Sequence, residues 1–62
     1  MIVQDLYRVI PDIEKVKIRS KNGVALWCGK NEDMPIEYFE RVINAIYLSI
    51  GPYEAYIVIE IA

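Results

Sequence analysis

Apolar and polar positions change their period along this chain, and each change marks an element. Val3, Leu6, Tyr7 and Ile10 fall at i, i+3, i+4 and i+7, which predicts a short helix over Ile2 to Ile10. Pro11 ends it, because proline has no amide donor and restricts the residue before it. Two isolated turns are marginal in water, so this helix needs a surface to pack on. From Lys15 the period becomes two. Val16 and Ile18 point to one side and Lys15, Lys17 and Arg19 to the other, the pattern of a half-buried strand. Lys21-Asn22-Gly23 is a turn signal, since Asn-Gly accepts positive φ. Val24 to Cys28 then forms the return strand of a hairpin, and Gly29 to Asp33 a polar connection.

The stretch from Met34 to Ile50 fits two periods at once. Ile36, Phe39, Ile43, Ile46 and Ile50 sit at helical spacing, while Val42, Ile46, Leu48 and Ile50 sit at strand spacing with Asn44 the exception. Gly51 to Glu54 breaks the chain, and Ala55 to Ile61 reads as a last strand with Ile57, Ile59 and Ile61 on one face. The preferred architecture is α+β: a short N-terminal helix and a small antiparallel sheet in the order α-β-β-turn-β-β. A helical turn covers Pro35 to Glu40, and Val42 to Ile50 pairs with the last strand. The β-branched run favours it. The alternative is α-β-β-α-β, with a helix from Pro35 to Ser49.

Composition narrows the picture. Sixty-two residues make a single small domain over 1–62, whose core rarely supplies more than about 3–5 kcal/mol. There is one cysteine and no histidine, so neither an internal disulfide nor the usual zinc ligand sets can staple it. Oligomerisation or very good packing must serve instead. No apolar run approaches the ~20 residues that cross a bilayer. Met1-Ile2-Val3 runs straight into Gln4 and Asp5, which is no secretion signal, and a free thiol then fits a reducing cytoplasm. A net charge of −2 disfavours duplex nucleic acid, whose binding rests on phosphate neutralisation.

Chemistry is scarce. Without histidine the commonest base near neutral pH is absent, so catalysis is not expected and no cofactor or metal site is implied. Cys28 is expected to face the core with Val24 and Leu26. Glu32-Asp33 and Glu37-Glu40 are the nearest acidic clusters, and a solvated loop and a solvated helical face explain them without further function. The hairpin is more unusual. A two-residue turn sets Ile18 opposite Trp27 and places Trp27 in the core with Val16. One more loop residue places Trp27 beside Lys17 and Arg19, on a basic and aromatic face extended by Tyr47 and Tyr56. The sequence leaves both registers open. In either, the sheet has apolar residues on both sides, which points to a homo-oligomer or to a small closed barrel. Of the five tyrosines, Tyr53 sits in the break and is the best single candidate to touch a partner.

Asp5-Leu6, Pro11-Asp12, Val16-Lys17-Ile18, Asn22-Gly23, Trp27-Cys28-Gly29-Lys30 and the closing Ile57-Val58-Ile59-Glu60-Ile61 resemble a group of very small proteins encoded by phages and integrated elements of low-GC Gram-positive bacteria. The resemblance implies an accessory protein of a mobile element inside a bacterial cell, with no catalytic residues to map. Such proteins often block host defence. Three expectations follow. The first is a protein-binding inhibitor of a bacterial defence system, anti-CRISPR-like or other, with Glu32, Asp33, Glu37 and Glu40 entering a basic channel of the host protein. The second is a homo-oligomeric sponge for a signalling nucleotide, with Lys17, Arg19 and Trp27 giving charge and stacking. The third is a structural or regulatory interaction dimer.

Overall fold

Two antiparallel hairpins, joined by one parallel seam, make the sheet. The computed structural model describes residues 1–62. A one-turn helix α1 (Val3–Tyr7) precedes strands β1 (Lys15–Ser20) and β2 (Ala25–Lys30). Two single 3-10 turns follow (Asn31–Asp33 and Ile36–Tyr38), then β3 (Ile43–Ile50) and β4 (Ala55–Ile61). The strand order is β2-β1-β4-β3. The fold is therefore small α+β, in the preferred element order. The stretch around Met34 to Ile50 resolves into a helical turn and a strand. The expected antiparallel pairing holds within each hairpin, and β1 runs parallel to β4. The central position suits β4, whose run Ile57-Val58-Ile59 is apolar on both sides.

One face of the sheet is covered. Val16 and Ile18 from β1 and Ile59 and Ile61 from β4 meet Val3 and Ile10 from the N-terminal segment and Met34 from the connection, all buried. Helix α1 is shorter than its apolar period suggests, because the chain turns at Arg8 to Ile10 ahead of Pro11. Its termini are satisfied from outside. The Val3 and Gln4 N–H groups donate to the Arg41 and Phe39 carbonyls, each at 3.0 Å, which answers orphan donors of the first turn. At the other end Asn31, fully buried, donates from Nδ2 to the Tyr7 and Ile10 carbonyls at 3.0 and 3.1 Å. The cover stops short of β3. Ile46, Leu48 and Ile50 lie on the same face as the core and remain exposed.

The hairpin register combines both readings of the turn. The loop is Lys21-Asn22-Gly23, closed by Ser20 N–H to the Val24 carbonyl and Gly23 N–H to the Ser20 carbonyl, each at 2.9 Å. Gly23 takes φ +87°, the left-handed residue that three-residue hairpin loops require. The loop thus has the extra residue. Arg19 pairs with Ala25, but Ile18 pairs with Trp27, so Leu26 is an unpaired bulge that restores the other register. Trp27 accordingly packs against the core. The same bulge turns Cys28 to the other face, opposite Lys17, where it is exposed. The expectation that Cys28 packs inward with Val24 and Leu26 fails for this reason. Strand β2 also runs on to Lys30, two residues beyond its expected end.

Candidate binding surface

The side of the sheet away from α1 has no second layer. Alternation along β1 sends Lys15, Lys17 and Arg19 there, and pairing adds Lys30 from β2, Val58 and Glu60 from β4, and Tyr47 from β3. Four of the seven cations therefore stand on one face of a net acidic chain. Val58 is buried although no element covers it. Its register neighbours are Lys17 and Tyr47, long side chains that lay apolar stems over the sheet and keep polar ends in water.

The cations are held over tyrosine rings. The Lys17 ammonium lies 4.7 Å from the Tyr56 ring centre and Lys15 5.9 Å from the same ring. The Arg19 guanidinium lies 5.9 Å from the Tyr47 ring and donates to the Tyr47 hydroxyl at 2.6 Å. Its Nε is buried without a partner. At the end of the face Lys15 pairs with Glu54 at 2.6 Å, and the Tyr56 hydroxyl donates to the other oxygen of Glu54 at 2.8 Å. The bond from Lys15 holds the Glu54 carboxyl below its usual range, helped by the Tyr56 hydroxyl. The Tyr56 phenol is pushed up to about 12, first by its bond to Glu54 and then by Cys28 beside it. Beyond Tyr56 a shallow cleft of about 360 Å³ opens between Lys17, Ser49 and the β3–β4 turn, with Tyr53 on its wall.

The sequence-predicted residues divide between the two sides of the molecule. Lys17 and Arg19 lie on the open face. Tyr53 is 95% exposed in the turn beside it. Trp27 lies on the covered face, so the proposed trio of Lys17, Arg19 and Trp27 does not come together, and the bulge at Leu26 is the cause. Glu32, Asp33, Glu37 and Glu40 are exposed along the connection that packs Met34 into the core. They lie on the helix side, away from the cations, and the one ion pair of the molecule, Lys15 to Glu54, involves none of them. Sequence reading missed Lys30 and Glu54. Continuing the alternation past Cys28 finds Lys30. Nothing local marks Glu54, whose partner Lys15 is distant in sequence.

No group of three or more His, Cys, Asp or Glu side chains gathers to hold a metal ion, and no helix is long and apolar enough to cross a membrane. No protein-family model, curated protein or solved structure matches the chain.

Proposed function

We propose that this chain acts by binding and not by catalysis. In this reading it is a phage or mobile-element accessory protein that blocks a bacterial host protein, with the open sheet face as its contact surface. The observation that supports it is the gathering of four cations and two tyrosines on one uncovered face. Glu60 and Glu54 offset part of this charge, but four cations outnumber two carboxylates there and Glu32, Asp33, Glu37 and Glu40 lie on the far side, so the face is net positive although the chain is acidic. Such a face steers toward an acidic surface and sets its orientation. Arginine and tyrosine are also the side chains enriched where interfaces draw most of their energy. The phage setting and the role against host defence rest on the sequence resemblance.

A second reading, a sponge for a signalling nucleotide, is favoured by the cleft at Lys17, Ser49, Tyr53 and Tyr56. Its volume lies within the range of small-molecule sites, and Trp27 has no part in it.

One experiment separates the two. A photo-crosslinking residue is placed at Ser49, on the face, or at Glu37, on the far side, and the protein is exposed to a low-GC Gram-positive host lysate. A thermal-shift screen with linear and cyclic nucleotides runs alongside. One host protein should cross-link from position 49 and not from 37. Arg19→Glu should abolish the product, and the pair Glu37→Lys and Glu40→Lys should leave it. Cross-links confined to position 37 would move the contact to the acidic side. A rise of many degrees with one nucleotide, without any cross-linked protein, would replace the protein partner with the ligand.

A further inference from the structure

The edge of β3 is where the sheet stops without protection. Edge strands are usually guarded by charge, proline or a bulge. The other edge, β2, has Lys30 and the Leu26 bulge. Strand β3 from Ile43 to Ile50 contains no charged residue and no proline, and its one register irregularity lies at its start, between Ile43 and Ala45, leaving Ile46 to Ile50 regular. Its beginning is closed by the chain itself: Ile2 bridges to Val42, and the Ile43 N–H donates to the Met1 carbonyl at 2.9 Å. From Ile46 onward no strand lies beside it. The Gly51 N–H donates to the Glu54 carbonyl at 2.7 Å. Antiparallel alternation from that pair turns the backbone groups of Tyr47 and Ser49 toward β4 and leaves those of Ile46, Leu48 and Ile50 pointing outward. The same three residues expose their side chains, at 47%, 66% and 77%.

We propose that a second copy of this chain covers this edge, its β3 running antiparallel to the first about a two-fold axis at Leu48. Leu48 then faces the partner's Leu48, and Ile46 faces the partner's Ile50. The pattern Ile-Tyr-Leu-Ser-Ile is self-complementary under this operation, as an isologous interface requires. The register follows from the surroundings. Sliding the partner toward Ile43 would drive its β3–β4 turn into the segment Met1 to Val3. Sliding it the other way would leave Ile46 uncovered. The strip itself bears no charge, so the two-fold buries no charged side chain in the seam. Paired residues share a face, so six aliphatic side chains gather on the helix side.

The chain also needs such a contact. Only nine of its 62 residues are buried, and domains of this size commonly draw stability from association. A specific interface takes roughly 800 Å² from each partner, about a fifth of the 4160 Å² that the chain exposes. Supplying that takes the backbone edge and the residues on both of its faces. On the open side the partner's Tyr47 would then stand beside Ser49, a wall of the cleft. The cleft becomes shared between copies, and two cationic faces join on one side of an eight-stranded sheet. The inference does not rest on what the face binds.

The test is sedimentation velocity of the intact chain across a range of concentrations, with two kinds of variant. The wild type should sediment as a dimer at tens of micromolar. Leu48→Lys places two ammonium groups at the axis and should give a monomer. Its fold is checked through Trp27, which lies near the opposite edge of the sheet, so its emission should not change. With Cys28→Ser removing the native thiol, Leu48→Cys should oxidise to a linked dimer, since directly paired Cα atoms lie about 5.5 Å apart. Ile50→Cys should not, its own copy lying some four residues away along the ladder. A wild type that stays monomeric at hundreds of micromolar would overturn the proposal. So would a dimer that survives Leu48→Lys, or an Ile50→Cys chain that cross-links as fast as Leu48→Cys.

Discussion

Asn31 is the one buried polar side chain of the molecule. It is fully buried, and its amide group closes the turn after α1 through two backbone carbonyls. Asn31→Ala leaves both carbonyls without a donor, which costs about 1–3 kcal/mol. For a domain of this size that lowers the melting temperature by roughly 8–23 °C, as a thermal melt would read. Asn31→Asp should be worse, because a buried carboxylate would face two carbonyl oxygens, and its melt should recover on acidification. The phenol of Tyr56 gives a second residue-scale prediction. Its folded value lies above the unfolded one, so the contribution of the neutral phenol is complete below about pH 10 and is lost as pH rises through about 12. Tyr56 should therefore ionise late in an ultraviolet titration, and Glu54→Gln should bring it back toward the ordinary phenol range. Glu54 works in the other direction: its carboxyl is depressed, so its pairing with Lys15 is lost as pH falls through the folded value. None of these partnerships was legible in the sequence. Asn31 looks like one more polar residue of a loop, because its partners come from a turn more than twenty positions earlier.

At the scale of elements, the strands were legible and their exact faces were not. Period-two alternation over Lys15 to Arg19 and over Ala55 to Ile61 is a direct imprint of one buried face, and both strands stand where the pattern puts them. The helix was overextended, since apolar spacing continues through residues whose backbone has already turned. The return strand misled more seriously. One unpaired residue, Leu26, inverts every side chain after it, and no propensity marks a bulge beforehand. This gives an unusual prediction. Deleting Leu26 should leave a regular ladder with Arg19 still opposite Ala25 and Ile18 still opposite Trp27. That chain should fold with Trp27 still packed, as its emission would report, and lose no more than about 1–2 kcal/mol. Deleting Cys28 instead would carry Gly29 and Lys30 to the wrong faces, and that chain should lose its cooperative melt.

The whole molecule is a thin, two-sided object, with Cα extents of 31 × 26 × 16 Å. One side is aliphatic and capped by acidic loops, the other cationic and bare. Sequence composition reported only the sum of these charges, and their separation became visible once the strands were ordered. Its stability leans heavily on the middle of the sheet. Ile59 is wholly buried and lies between β1 and β3. Ile59→Ala should cost about 2–5 kcal/mol, comparable with the about 3–5 kcal/mol that such a core supplies. Circular dichroism should find that variant largely unfolded at low concentration. The parallel seam between β1 and β4 has a consequence in time. Each hairpin is local and can close within microseconds, but the seam joins residues about forty positions apart, Val16 with Ile57 among them, and such distant pairings are slow to find. Newly made chains should therefore pass through a stage with two finished hairpins and no domain. The rate of that last docking step would then set how soon after synthesis the protein can act.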